Sequence, residues 1–214
     1  MIIVILEQKK GEVKMVEAKL YFRYGVMSSG KTYDLIKNYY SHKGDGKEVV
    51  IMKPSSDTKG ENTIVARNGQ SIKVDFLVND KDNVYLIISE YLMNNNLDYI
   101  LVDEAQFLKE KQVKELFEIT KIYDIPVICY GIPKDFREEF FPGAISLMAQ
   151  ADIREELTKT CSCGRTAICN IRFDSNNEPV FEGEQVAIDG EDYTYKSMCR
   201  RCANTLKKTK KRVK

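Results

Sequence analysis

No stretch of this 214-residue chain approaches the roughly 20 consecutive apolar residues that a membrane span requires. The opening run, residues 1–6 (MIIVIL), is cut off by Glu7, Lys9 and Lys10, too early for the apolar region of a cleaved leader. It reads as an extra edge strand or a disordered extension. The chain also lacks an excess of either charge. Its 33 basic and 32 acidic residues leave +1, so no global field draws it to DNA or to an anionic membrane. Histidine is nearly absent, and the one copy, His42, stands in a Lys/Gly/Asp-rich turn where exposure is expected. No internal repeat or low-complexity linker interrupts the chain. These absences lead to the expectation of a soluble, cytoplasmic protein with no membrane and no nucleic-acid partner. In that compartment six cysteines point to metal ligation or buried thiols rather than disulfides.

What is present is concentrated in a few places. Gly25-Val26-Met27-Ser28-Ser29-Gly30-Lys31-Thr32 spells the G-x-x-x-x-G-K-[ST] phosphate-binding loop. An apolar run at residues 20–24 precedes it as a strand, and residues 32–40 follow as a helix. Glycines let such a loop curl its N–H groups toward phosphate oxygens at the positive end of the helix. Lys31 is placed to reach the β- and γ-phosphates of a nucleoside triphosphate, and Thr32 to offer a hydroxyl to Mg²⁺.

Strand-like and helix-like segments then alternate. Residues 48–53 (EVVIMK), 98–102 (DYILV) and 125–130 (IPVICY) read as strands. Helical spacing appears at Val84, Ile87, Ile88, Tyr91 and Leu92, and again at Val113, Leu116, Phe117 and Thr120. Alternation of this kind predicts a parallel sheet with helices on both faces, and with the phosphate loop the fold expected is a P-loop, RecA-like α/β one. The ligand then sits beyond the carboxyl ends of the strands. Asp103-Glu104 falls there, as a Walker B element. Asp103 suits Mg²⁺ opposite Thr32, while Glu104 suits either orienting water in an ATPase or taking a proton from an acceptor hydroxyl in a kinase.

From about Thr158 short apolar runs are separated by Asn, Asp, Gly and Glu, helical periodicity disappears, and cysteines come in pairs. Cys161 and Cys163 (C-x-C-G) with Cys199 and Cys202 (C-x-x-C) predict a closed, tetrahedral Cys₄ zinc site of structural type. The organisation expected is an extension (1–17), a P-loop nucleotide-binding domain (18–157), a small zinc-binding domain (158–206) and a basic tail (207–214). That tail reads as a solvated terminus. Cys129 reads as a small core residue, and Cys169 has no place in a four-ligand site.

Taken in order, these motifs resemble the thymidine kinases of the human cytosolic, bacterial and T4-phage type, over residues 18–206. The loop has that family's methionine at Met27. Asp103-Glu104-Ala105-Gln106-Phe107 matches D-E-[AG]-Q-F. Tyr130-Gly131, Asp135-Phe136-Arg137 and Phe141-Pro142-Gly143 match its G-L-x-x-D-F-x…F-x-G stretch. The cysteine region is similar to its zinc-held lasso, with Tyr195 four residues before Cys199.

The resemblance implies an ATP:thymidine 5′-phosphotransferase acting on thymidine or deoxyuridine. In it Glu104 is the base, Lys31 stabilises the transferring phosphoryl group, Thr32 and Asp103 hold Mg²⁺, and Asp57 belongs with the phosphate loop. It also implies a nucleoside site that draws on Met27, Gln106, Phe107, Phe136, Phe141, Arg172, Ile188, Gly190 and Tyr195. It further implies dTTP as feedback inhibitor and a homotetramer. Lys59 stands where the family has arginine, and residues 189–192 depart from its I-G-G. Two rival readings are a P-loop ATPase whose zinc ribbon grips nucleic acid and a kinase for another deoxynucleoside. Against the first, residues 174–192 carry seven acids (Asp174, Glu178, Glu182, Glu184, Asp189, Glu191, Asp192), which repel a phosphate backbone.

Overall fold

The computed structural model describes residues 17–57, 62–66, 69–185 and 193–213. Six parallel strands form the main sheet: β1 (Leu20–Tyr24), β2 (Val49–Pro54), β5 (Phe76–Val78), β6 (Tyr99–Val102), β7 (Val127–Gly131) and β8 (Ile153–Glu156). Their order is β5-β2-β6-β7-β1-β8. A hairpin of β3 (Thr63–Val65) and β4 (Ser71–Lys73) stands apart from this sheet.

β2 and β7 are buried along their whole length. Continuous β-branched and apolar runs of this kind occur where helices cover both faces of a parallel sheet. The period-two alternation divides the core. Leu20, Phe22, Val102, Val127 and Cys129 turn to one face. There they pack under α2 (Val84–Leu92), α3 (Glu110–Ile122) and α4 (Pro142–Gln150). Leu101, Ile128 and Tyr130 turn to the other face, with Leu35 and Ile36 of α1 (Lys31–Gly44) and Ile64 and Ile72 of the hairpin. The α/β fold expected from the sequence is the fold observed.

A second sheet, β10-β9-β11, is antiparallel, with β9 (Cys169–Phe173), β10 (Pro179–Val180) and β11 (Thr194–Met198). One face of β9 (Cys169, Ile171, Phe173) packs with Ala203 and Leu206 of the last helix, α5 (Arg200–Val213). Helical periodicity therefore returns after Cys199, contrary to the reading that it ends near Thr158. α5 also runs unbroken across positions 206–207, and Lys207 pairs with Glu138 at 3.2 Å instead of standing free in a tail. His42 is likewise better held than expected: its ring stacks on Tyr99 at 3.8 Å and is half-buried. No helix among the described residues is long and apolar enough to cross a membrane.

Candidate active site

The phosphate loop joins β1 to α1. Gly25 is confined: a Cβ there would strike the Leu157 carbonyl oxygen and lie 2.5 Å from Ser29 Oγ. Gly30, at φ 92°, caps α1, and its carbonyl accepts the Asp34 N–H at 2.8 Å. Lys31 is buried, and its Nζ donates to the Gly25 and Val26 carbonyls at 3.2 and 2.9 Å. The cation is thus folded back over the loop's own oxygens. Ser29 Oγ is buried with no hydrogen-bond partner among the described residues. An orphaned hydroxyl on the loop that also carries the Lys31 ammonium suits an anionic ligand.

β6 delivers the acidic pair. Asp103 continues the ladder, its N–H donating to the Met52 carbonyl at 3.0 Å. Burial first, then the neighbouring Glu104 charge, push the Asp103 carboxyl up to about 7. A buried acid close to two others (Glu104 and Asp57) gathers carboxylate oxygens, a donor set that fits a hard divalent cation. Asp57 itself holds the buried Lys53 ammonium at 2.9 Å.

Glu104 adopts φ 47°, ψ 36°, a left-handed conformation that non-glycine residues seldom adopt. It is fixed there by Gln106, whose Nε2 donates to Glu104 Oε2 at 2.5 Å while its Oε1 accepts the Ile132 N–H at 3.0 Å. Gly131 makes room for this arrangement. A Cβ on it would lie 2.7 Å from Gln106 Oε1 and 3.3 Å from Phe22 Cε2. Gly131→Ala is therefore expected to displace Gln106 and, with it, Glu104. Turnover should fall roughly tenfold or more, because small misplacements of a reacting group are costly. Steady-state kinetics beside a thermal melt check this, and unchanged turnover would show that Gln106 does not set the carboxylate.

The loop and the acid meet in a single cavity of about 290 Å³, lined by Met27, Lys31, Thr32, Val65, Glu104 and Ile132, among others. Val65 and Ala66 come from the hairpin region, which no sequence motif marked. Its short strands, three residues each, carry too little periodicity to be read.

The four expected cysteines converge. Their Sγ atoms all lie within 4.8 Å of one another, with Cys163 at 3.6 Å from Cys161 and 3.5 Å from Cys199. Tetrahedral thiolate ligation with metal–sulfur bonds of about 2.3 Å needs sulfur separations of about 3.8 Å, so the set fits zinc. The Arg165 backbone N–H, followed by the Cys199 and Cys202 thiols, draws Cys163 down to about 6, toward the thiolate a metal binds. Cys161 and Cys199 are buried with Ala167 against Val26 of the phosphate loop. Cys169 turns away and donates to Glu138 at 3.2 Å, and Cys129 lies in the core.

Comparison with known proteins decides the family. The thymidine kinase family model matches residues 18–203. The chain belongs to the thymidine kinase family. A thymidine kinase of Legionella pneumophila (strain Paris) is 42% identical over 185 residues, covering 86% of this chain and 88% of the relative. That of Coxiella burnetii is 39% identical over 186 residues, covering 86% and 94%. Among solved structures, Bacteroides Pif1 bound to ssDNA aligns with 67% of this chain and 39% of its own, at 16% identity and a TM-score of 0.38, a likeness too slight to bear on function.

The side chains that resemblance to thymidine kinases assigned to the nucleoside fall into two groups. Phe136 is buried beneath Arg172, whose guanidinium carbon lies 3.7 Å from the ring centroid. Arg172 is itself buried, donates from Nε to Tyr195 Oη at 2.8 Å, and has Tyr193 5.0 Å away as a further aromatic face. Tyr193, missed in the sequence, shares Tyr195's side of the strand by period two. Phe107 and Phe141 meet edge to face at 5.5 Å, with Phe141 buried and Phe107 partly buried. Ile188 and Gly190 lie outside the described residues.

Proposed function

We propose that this chain transfers the γ-phosphoryl group of ATP to the 5′-hydroxyl of thymidine or deoxyuridine. The observation that carries the reading is the shared cavity, in which Glu104, held by Gln106, faces the same space as Lys31 and Thr32. Glu104 accepts the proton of the 5′-hydroxyl as that oxygen bonds to the γ-phosphorus. The bond from γ-phosphorus to the β–γ bridging oxygen breaks, and ADP leaves with its electron pair. Lys31 exchanges its loop carbonyls for the phosphate oxygens and stabilises their charge. Thr32 and Asp103 would hold Mg²⁺, which would supply further positive charge at the phosphates. The cysteine set would hold Zn²⁺ in a structural role and brace the small sheet. Phe136 and Arg172 flank the base side, and closure there excludes water as a rival acceptor. Feedback inhibition by dTTP, homotetrameric assembly and a cytoplasmic location belong to the same proposal.

The test offers nucleosides one at a time with Mg-ATP and follows ADP release. Thymidine is expected to stimulate release by roughly tenfold or more, in the range of ordinary kinase turnover over idle hydrolysis. Stimulation by single-stranded DNA instead would favour the ATPase reading, and stimulation by a different deoxynucleoside alone would reassign the acceptor.

A further inference from the structure

Two residues of the cysteine-bearing unit hold the phosphate loop by its backbone. Asn170 of β9 stands directly opposite Ser197 of β11. Asn170 Oδ1 accepts the Met27 N–H at 2.9 Å, and Ser197 Oγ donates to the Met27 carbonyl at 2.6 Å. The two side chains lie 3.3 Å apart, and Asn170, which is buried, also reaches the Lys134 carbonyl at 3.4 Å. One position earlier, Val26 packs on Cys161 and Cys199. The strand that carries Ser197 ends at Met198, next to Cys199.

Met27 is the third residue of a loop that holds left-handed backbone at Ser28 (φ 58°) and Gly30 (φ 92°). A short loop with such torsions has competing conformations, and a ligand's affinity falls with the fraction of chains in the binding form. Anchoring both backbone polar groups of Met27 raises that fraction. We infer that Asn170 and Ser197 are positioning residues for the triphosphate: they fix the curl of the phosphate loop and tie it to the metal-held unit. The inference rests on reading the loop as the ATP site and the cysteines as the zinc site.

The experiment measures ATP binding alone, without nucleoside, by calorimetry on the full zinc-loaded chain. Ser197→Ala and Asn170→Ala should each weaken ATP by roughly threefold to tenfold, the usual range for one net hydrogen bond. Ser197→Thr keeps the hydroxyl and should bind within about twofold of the parent. Zinc per chain should be equal in all of them. Unchanged ATP affinity in both alanine variants overturns the inference, as does a loss that Ser197→Thr shares in full. Should an alanine variant fail to fold, amide exchange on the parent protein decides. Slow exchange of the Met27 amide without any ligand supports the anchor, and exchange as fast as an open loop overturns it. Failure of the proposed reaction is distinguishable, because ADP release would then ignore thymidine while this ATP pattern persisted.

Discussion

Replacing Glu104 by glutamine should lower turnover by roughly 10²-fold or more, the usual share of a general base. The substitution is nearly isosteric. A glutamine Oε1 accepts from Gln106 Nε2 as the carboxylate does, so the local frame from Ile132 through Gln106 stays intact. What is lost is the charge and basicity aimed at the acceptor hydroxyl. Binding of thymidine and of ATP should change little, so the loss appears in kcat rather than in KM. The removal of one acid from the pair also relieves Asp103, whose carboxyl is raised in part by the Glu104 charge. Stability should hold or rise slightly. Near-normal kcat in Glu104→Gln removes this residue from the role of base, and a collapse of nucleoside binding would make it a structural acid instead.

Stripping zinc should abolish activity and lower the melting temperature by roughly 10 °C or more. This follows if the site contributes even about 4 kcal/mol, since each kcal/mol moves the midpoint of a chain this size by about 2–4 °C. The geometry gives the reason. Cys161 and Cys199 are buried, and four thiols so close together lose their common partner at once. β9 and β11 then lose the anchor at their ends, and with it the face that presents Arg172, bonded to Tyr195, over Phe136. Activity of the chelated protein, read beside its zinc content, checks this. Recovery on zinc addition but not on Mg²⁺ addition completes the case, and full activity at zero zinc defeats it.

The parts legible in the sequence were those whose chemistry needs neighbours along the chain. The phosphate loop, the Asp103-Glu104 pair and the two cysteine pairs are contiguous because backbone curl, strand end and knuckle are local devices. The central strands were legible because both their faces are buried, which leaves unbroken apolar runs in β2 and β7. The hairpin was not, since its three-residue strands are stabilised by packing of Ile64 and Ile72 under α1's side of the sheet. α5 was hidden because lysine and arginine make up half of it, although Ala203 and Leu206 meet β9 at helical spacing. Asn170 and Ser197 carried no signal at all. Their partner Met27 lies 143 and 170 positions away, a distance that only tertiary structure closes.

The place of β1 in the sheet bears on when the molecule can first work. Its two hydrogen-bonded neighbours are β7 and β8, which emerge from the ribosome more than a hundred residues later. A growing chain displays the nucleotide motif early but gains its first sheet neighbour only with β7 and its second only once residue 156 has been made. Pairings of such long sequence separation close slowly. Nascent fragments that end before β8 should therefore fail to retain ATP, which makes the newborn polypeptide chemically silent until most of it exists.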